Sequence, residues 1–295
     1  MSFPAELASP GIREMMAYMK QPTRHPGLRT DQVFRLPWTS PRRGLRFHVY
    51  ARGIRWEEPV GVVWYFDGDY YLPVHSAVRH PTGPTLLRLA AIANARNLVF
   101  IAMDTPDRRY STSGFTWWVR ARLNGRVFRL FARSLRRRLH PDPSRSWVMG
   151  YSGGAEFITF DLLRRQVPRW LRGGAVMVGG GGVQKPPETP GPELRKIPLT
   201  WWIGQEDGDL AAAAPGLWSA QQAARTGCEA YRAAGFSHAT LRELPETGHR
   251  SYDLPQILRE TLDAAGLAPR QAPTETGTAE TGPADAPTSA SEQGI

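Results

Sequence analysis

The chain has 295 residues, of which 41% are hydrophobic and 22% charged, so it is long enough for one large α/β domain or two small ones. No apolar run approaches the roughly 20 residues of a membrane span, no secretory signal is recognisable, and the single cysteine, Cys228, excludes an internal disulfide, so we expect a cytoplasmic protein without membrane contact. The formal net charge of +10 raises the question of a nucleic-acid partner, but the 37 basic residues include only three lysines, and we expect no such partner because arginine enrichment often reflects genome composition.

Three regions follow one another along the chain. Residues 1–30 form a lead-in with one short helix, Ile12–Met19, and residues 31–267 form the domain that carries the predicted sheet. Residues 268–295 contain no aromatic side chain and consist mainly of Pro, Thr, Ala, Gly and Glu, so they cannot bury enough surface to fold. We expect this last region to be a disordered tail.

Apolar runs and helical stretches alternate within the domain. The predicted strands are Val33–Leu36, Leu45–Tyr50, Gly61–Phe66, Leu98–Met103, Ser146–Gly150, Ala175–Val178, Leu199–Ile203 and Thr240–Leu244. The predicted helices are Pro84–Ala95, Val127–Leu139, Ala155–Arg165, Trp218–Ala234 and Pro255–Ala265. The first two strands alternate polar and apolar residues, as half-exposed antiparallel strands do, whereas the middle strands are almost wholly apolar and should be covered on both faces. The alternation predicts an α/β fold with a mostly parallel sheet.

The densest arginines lie in residues 120–138. Phe128, Phe131, Leu135 and Leu139 recur there at helical spacing, which predicts an amphipathic helix with one apolar stripe. We favour a solvated arginine face over a polyanion-binding site on this helix.

The stretch VMGYSGGAEF, residues 148–157, places a serine between glycines at the end of a predicted strand. Gly150, Ser152 and Gly154 fit the Gly-x-Ser-x-Gly pattern of a nucleophile elbow, although a Gly/Ser-rich turn without function is the alternative. A sharp strand-to-helix turn crowds its neighbours, so small residues are needed around the serine. Ser152 is therefore the candidate nucleophile.

A serine requires a base, and the chain has seven histidines. His249 directly follows the last predicted strand, at the edge where the carboxyl ends of parallel strands meet. His238 precedes the same strand and falls at the opposite edge. The remaining histidines, His25, His48, His75, His80 and His140, fit surface positions better. His249 is the candidate base.

A carboxylate that orients the histidine is expected after the strand Leu199–Ile203. Asp207 lies in that turn, with Glu206 and Asp209 as neighbouring alternatives and ordinary turn chemistry as the competing explanation. The oxyanion hole should use the backbone amides of Gly153 and of Asp69, which follows the third strand. Because a carboxylate beside an oxyanion is unfavourable, we expect the side chains of Asp67 and Asp69 to point away from the reaction centre.

The ordered set Ser152, Asp207 and His249 resembles that of α/β-hydrolases, over roughly residues 31–267. The Asp-Gly of YFDGDYY is similar to esterase D-like members, and GYSGGA resembles the elbow of polyhydroxybutyrate-depolymerase-like members; enterobactin esterases belong to the same set of relatives. The resemblance implies an α/β-hydrolase fold, with a mostly parallel eight-stranded sheet covered by helices on both faces. It also implies a serine esterase that acts on a small-molecule ester through an acyl-enzyme. An acyltransferase and a non-catalytic binding protein are the alternatives.

The segment after the sixth strand, Gly179 to Pro198, is short and rich in Gly and Pro, so we expect no large cap domain and a flexible rim at Gly179–Gly182 rather than a phosphate loop. Aromatic and basic side chains of two other loops are candidates for an acyl or aryl pocket, with core packing as the equal alternative: Tyr70, Tyr71, Arg108, Arg109, Tyr110, Phe115, Trp117 and Trp118. No metal-ligand spacing and no dinucleotide fingerprint occur, so we expect neither metal nor cofactor. The sequence does not indicate an oligomeric state.

Overall fold

The computed structural model describes residues 10–20, 32–35, 44–107, 114–164, 169–208 and 218–269. Most of the predicted lead-in and tail, at 1–9, 21–31 and 270–295, therefore lies outside the described residues. The same holds for five individual candidates of the sequence analysis: His25, Arg108, Arg109, Tyr110 and Asp209.

The described strands form one eight-stranded sheet. They are β1 (Gln32–Arg35), β2 (Gly44–Tyr50), β3 (Gly61–Phe66), β4 (Leu98–Met103), β5 (Ser146–Tyr151), β6 (Gly174–Val178), β7 (Leu199–Gly204) and β8 (Ala239–Leu244). The strand order is β1-β2-β4-β3-β5-β6-β7-β8. The pairs β1–β2 and β2–β4 are antiparallel, and the pairs that follow along the sheet are all parallel. The predicted mostly parallel sheet is confirmed.

The burial of the strands follows their place in the sheet. Every residue of β3 and of β7 is buried, because helices cover both faces of these central strands. The half-exposed pattern expected for β2 is wrong, since all of its residues except Arg46 are buried between β1 and β4. The surface position expected for His48 is wrong for the same reason: it is buried in β2, with Nε2 2.7 Å from the carbonyl oxygen of Val78.

In the described part of the chain, six α-helices flank the sheet in two layers. They are α1 (Pro10–Lys20), α2 (Pro84–Asn94), α3 (Ala121–Leu139), α4 (Gly153–Phe157), α5 (Ala220–Ala233) and α6 (Leu254–Ala264). Side chains of α3, α4 and α5 pack in one hydrophobic cluster on one face, and those of α1, α2 and α6 pack in a second cluster on the other. The central strands contribute alternate side chains to the two clusters, as Val62 and Val63 do.

Helix α3 begins six residues before its predicted start. The prediction started too late because two poor helix formers, Asn124 and Gly125, lie in the first turns of the helix. The Asn124 side chain donates a hydrogen bond to the carbonyl oxygen of Trp117 at 2.7 Å. A Cβ on Gly125 would lie 1.8 Å from Oδ2 of Asp161, so the glycine permits the close approach of the chain that follows α4. The predicted apolar stripe of α3, which includes Phe128 and Leu135, is buried.

Helix α4 continues without a break into a π-helical turn, Ile158–Leu162. The segment after β6 contains one 3-10 turn, Pro192–Leu194, so no helical cap is inserted at residues 179–198. Within the described residues, no helix is both long enough and apolar enough to cross a bilayer.

Candidate active site

Ser152 lies in the tight turn between β5 and α4. Its φ of 49° and ψ of −119° place a non-glycine residue in a strained conformation, which persists only when the surroundings impose it. The Ser152 amide donates to the carbonyl oxygen of Val178 at 2.8 Å. A Cβ on Gly150 would lie 2.4 Å from the carbonyl oxygen of Gly154, and a Cβ on Gly154 would lie 2.2 Å from that of Phe66. Side chains at Gly150 and Gly154 would therefore clash with the backbone of this turn, which explains why both positions are glycine.

Ser152, His249 and Asp207 form one chain of hydrogen bonds. The Ser152 Oγ atom lies 2.9 Å from Nε2 of His249, and His249 Nδ1 lies 2.9 Å from both carboxylate oxygens of Asp207. We assign the proton of the imidazole to Nδ1, because Asp207 can only accept when it is ionised. The structure thus brings together three side chains that are 42 to 97 residues apart in sequence.

Two tyrosines and a tryptophan that sequence reasoning did not select surround the imidazole. Tyr151 stacks on His249 with ring centroids 5.4 Å apart, and its hydroxyl donates to the His249 carbonyl oxygen at 2.5 Å. Tyr252 donates to Oδ2 of Asp207 at 2.5 Å, and Trp218 meets the His249 ring edge-on at 5.8 Å. The position of Tyr252 three residues after His249 could have indicated that it lies near the site. The sequence does not indicate its hydrogen bond to Asp207.

The loop after β3 is fixed by the buried carboxylate of Asp67. This carboxylate accepts hydrogen bonds from the Ser76 hydroxyl at 2.7 Å, from the amides of Ala77 and Gly68 at 2.8 and 3.0 Å, and from the Tyr65 hydroxyl at 3.0 Å. Burial raises the pKa of Asp67, and the four donors oppose that shift. All four partners belong to β3 and its loop, so this side chain is turned into the loop, as expected.

The expectation that the Asp69 side chain points away from the reaction centre is wrong. A Cβ on Gly153 would lie 1.9 Å from Oδ1 of Asp69, so the carboxylate rests against the residue that follows Ser152. Its Oδ2 accepts a hydrogen bond from Nε1 of Trp118 at 2.7 Å. Desolvation in the crevice raises the pKa of Asp69 to about 6, while the Trp118 indole and the nearby His249 lower it. The absence of a side chain on Gly153 makes this orientation possible.

The backbone amides of Gly153 and Asp69 have no hydrogen-bond acceptor among the described residues. Both follow the carboxyl ends of neighbouring strands, β5 and β3, beside the Ser152 hydroxyl. Amides arranged in this way can bind an anionic oxygen.

Comparison with solved structures gives a consistent result. Thermogutta terrifontis esterase 2 in its apo form is 14% identical, with 84% of this chain and 98% of that chain covered and a TM-score of 0.53. The poly(aspartic acid) hydrolase-1 of Sphingomonas sp. KT-1 is 14% identical, with 81% and 98% covered and a TM-score of 0.50. A thermostable esterase is 12% identical, with 80% and 62% covered and a TM-score of 0.52.

The chain has the α/β-hydrolase fold. The low identities show the fold and no more, and neither a protein-family model nor a curated protein matches the sequence. In this fold, the site described above occupies the carboxyl ends of the central strands, where ligands of parallel sheets bind.

The glycine loop after β6 is not the flexible rim that the sequence suggested. Gly179–Gly182 are buried, and the amides of Gly181 and Gly182 donate to the two carboxylate oxygens of Glu156 at 3.1 and 2.9 Å. Glu156 is 3% exposed and lies one turn after Ser152 in α4. Burial raises its pKa to about 7, although the two amides lower it. This buried carboxylate therefore connects the loop to the helix that follows Ser152.

Of the candidate pocket aromatics Tyr70, Tyr71, Trp117 and Trp118, Trp118 is the one that lies beside Ser152 and its neighbours. Trp118 binds Asp69, whereas Trp117 is buried in the core, with its ring centroid 4.8 Å from that of Phe157. Tyr70 is buried and donates to Asp104, and Tyr71 is exposed. The structure thus favours the core-packing alternative for Tyr70 and Trp117, while the role of Tyr71 stays a prediction.

The rejected and alternative residues lie away from the imidazole contacts. His238 is exposed, and its carbonyl oxygen accepts from the amide of Leu199 at the amino end of β7, opposite the site. Glu206 is exposed beside Asp207. Among the residues that the structure describes, no three His, Cys, Asp or Glu side chains are arranged to hold a metal ion.

Several cavities of the described residues flank the site, and two of them bear on substrate binding. One, of about 590 Å³, lies beside His249 and is lined by Trp218, Asp207 and Arg250 among others. The other, of about 570 Å³, begins at Trp118 and runs between the start of α3 and the π-helical turn that follows α4.

Proposed function

We propose that this protein is a serine esterase that hydrolyses a small-molecule carboxylic ester through an acyl-enzyme. The single observation that carries the proposal is the hydrogen-bonded series Ser152, His249 and Asp207 beside two unpaired amides. The strained backbone of Ser152 also supports it, because such strain clusters at active sites.

In the first half-reaction, His249 Nε2 accepts the proton of Ser152 while Oγ attacks the ester carbonyl carbon. The resulting oxyanion is bound by the amides of Gly153 and Asp69. The tetrahedral intermediate then collapses, the bond to the alcohol oxygen breaks, and His249 gives its proton to the departing alkoxide. Asp207 keeps Nδ1 protonated and stabilises the imidazolium.

In the second half-reaction, a water molecule gives a proton to His249 and its oxygen attacks the acyl carbon. Collapse of this second intermediate returns the proton to Ser152 and releases the carboxylic acid. The cavity beside His249 is suited to the alcohol portion, since that is the side from which the imidazole delivers its proton.

One of the similar solved structures bears on this chemistry. Thermogutta terrifontis esterase 2 is described as phosphorylated by paraoxon; it is 15% identical, covers 85% of this chain and 100% of its own, and has a TM-score of 0.51. An organophosphate of that type is therefore a suitable probe for the proposed nucleophile here.

The proposal extends to the catalytic domain at residues 31–267, which contains every strand of the sheet, and to a cytoplasmic location. The location is supported only by the sequence, whose single cysteine, Cys228, is buried and free.

The test compares wild-type protein with Ser152→Ala and with the control Ser237→Ala, an exposed serine remote in sequence from the elbow. We expect wild type and the control to hydrolyse p-nitrophenyl acetate and to be labelled by a fluorophosphonate, and Ser152→Ala to do neither. Undiminished turnover by Ser152→Ala would refute the assignment.

A further inference from the structure

The cavity that begins at Trp118 is strongly basic, and we name it the basic groove. Five of its lining side chains are basic and one is acidic. The basic residues are Arg120, Arg122, Arg126, Arg164 and Lys185, and the acidic residue is Asp161. A cavity of this size with such an excess of positive charge attracts anions.

Most of the basic side chains of the groove are not neutralised by their surroundings. Among the described residues, Arg120 pairs with Asp107 at 3.6 Å. The Asp161 carboxylate is bound by Arg129, which does not line the groove, at 2.6 Å. Arg122, Arg126 and Lys185 have no ion-pair partner among the described residues. The groove also receives the amino end of the 19-residue helix α3, whose first turn contains no acidic residue.

A second observation concerns a buried donor of the groove. The Nε atom of Arg164 is buried and has no hydrogen-bond partner among the described residues. A buried guanidinium donor without a partner is costly, so a ligand oxygen placed in the groove would satisfy a group that the protein leaves unsatisfied.

Trp118 and the helix that follows Ser152 connect the basic groove to the proposed nucleophile. Trp118 lines the groove, binds Asp69 against Gly153, and meets Phe160 edge-on at 6.4 Å. Phe160 and Arg164 are eight and twelve residues after Ser152, which corresponds to about 12 and 18 Å along a helix. The cationic part of the groove therefore lies some way from the ester carbonyl.

The groove is not uniformly polar, because the exposed side chains of Val119 and Leu123 line it together with Phe160. The alcohol portion of an ester belongs on the side of His249, from which the leaving oxygen receives its proton. The acyl portion then extends to the other side, past Trp118.

We propose that the basic groove binds the acyl portion of the substrate, which carries a carboxylate or phosphate at the far end of an apolar spacer. The inference rests on the proposed esterase function and adds the substrate class. Anionic oxygens would be bound by Arg122, Arg126, Arg164 and Lys185, and the spacer would pack on Leu123 and Phe160.

The test uses p-nitrophenyl half-esters of α,ω-dicarboxylic acids of increasing length, with neutral monoacid esters of equal length as references. We expect the ratio of kcat/KM, anionic over neutral, to rise by roughly tenfold for long chains only, and to fall as salt is added. A second series with a terminal phosphate in place of the carboxylate distinguishes the two anions.

The variant Arg122→Ala/Arg126→Ala removes two exposed arginines of the groove and should lower that ratio by roughly tenfold. The matched control, Arg133→Ala/Arg137→Ala, removes two exposed arginines of α3 that do not line the groove, and should leave the ratio unchanged. Equal loss for anionic and neutral esters, or no preference at any length in wild type, would overturn the proposal. Failure of every ester together with absent fluorophosphonate labelling of Ser152 would instead refute the esterase function.

Discussion

Replacing Glu156 with glutamine should change how the stability of the protein depends on pH. Glu156 is buried beneath the elbow and accepts hydrogen bonds from Gly181 and Gly182. Burial raises its pKa from an ordinary value of 4.5 to about 7, so the folded state binds a proton more tightly than the unfolded state.

The sign and size of the effect follow from this difference. Between pH 4.5 and about 7 the folded protein holds more protons on Glu156 than the unfolded chain does, so stability falls as pH rises through this window. The loss amounts to about 3 kcal/mol in total, all of it present above pH 7 and none of it below pH 4.5. Glutamine does not titrate, so the variant lacks this component. It loses one acceptor for the two amides, which costs about 1–3 kcal/mol at every pH.

Urea unfolding at several pH values between 4.5 and 8 measures the difference. We expect Glu156→Gln to be less stable than wild type at pH 5, and the gap to close by about 3 kcal/mol at pH 8. Glu229→Gln, at an exposed position of α5, controls for the loss of a carboxylate. A difference between Glu156→Gln and wild type that stays constant with pH would refute the reasoning.

Three further predictions concern the reacting groups. Gly153→Ala should lower kcat for p-nitrophenyl acetate at least tenfold, because the new Cβ would lie 1.9 Å from Oδ1 of Asp69. The control Gly191→Ala, whose Cβ would have no atom within 4 Å, should retain wild-type activity. Equal activity of the two variants would contradict the prediction. Asp69→Asn should raise kcat relative to wild type by up to about tenfold at pH 8 and little at pH 5, because the carboxylate with a pKa of about 6 is charged only at the higher pH; a ratio independent of pH would argue against it. Tyr252→Phe removes the hydrogen bond to Asp207 and should lower kcat by about tenfold, as the imidazole keeps both carboxylate contacts; steady-state kinetics would expose a thousandfold loss as inconsistent with this supporting role.

The sheet was largely predictable from the sequence. The strands Gly61–Phe66 and Leu98–Met103 have the predicted ends, because both are unbroken apolar runs that need cover on both faces. The start of α3 was not predictable from the sequence, because Asn124 and Gly125 disfavour a helix locally. Their place in the helix depends on distant contacts, of Asn124 with Trp117 and of Gly125 with Asp161.

Within the site, proximity was predictable and orientation was not. Parallel strands end at one edge, so residues placed just after β5, β7 and β8 were expected to meet there, and Ser152, Asp207 and His249 do. The partners of Glu156 and the direction of the Asp69 side chain depend on backbone atoms of distant loops. No local pattern in the sequence encodes those contacts.

The charges around Ser152 bear on which anionic esters the basic groove can select. Asp69 lies against Gly153 and Glu156 lies one turn after Ser152, so two carboxylates lie close to the proposed position of the ester carbonyl. Desolvation raises the pKa of Asp69 to about 6, so its carboxylate is negatively charged above that pH. Of the cations that line the groove, Arg164 lies twelve residues after Ser152, which corresponds to about 18 Å along a helix. An acyl group whose anion is near the ester carbonyl would be repelled by the carboxylate of Asp69 and would not reach the cations of the basic groove. Selectivity for the proposed substrates therefore has to appear as a threshold in chain length, and the length at which it appears measures the distance from Ser152 to the bound anion.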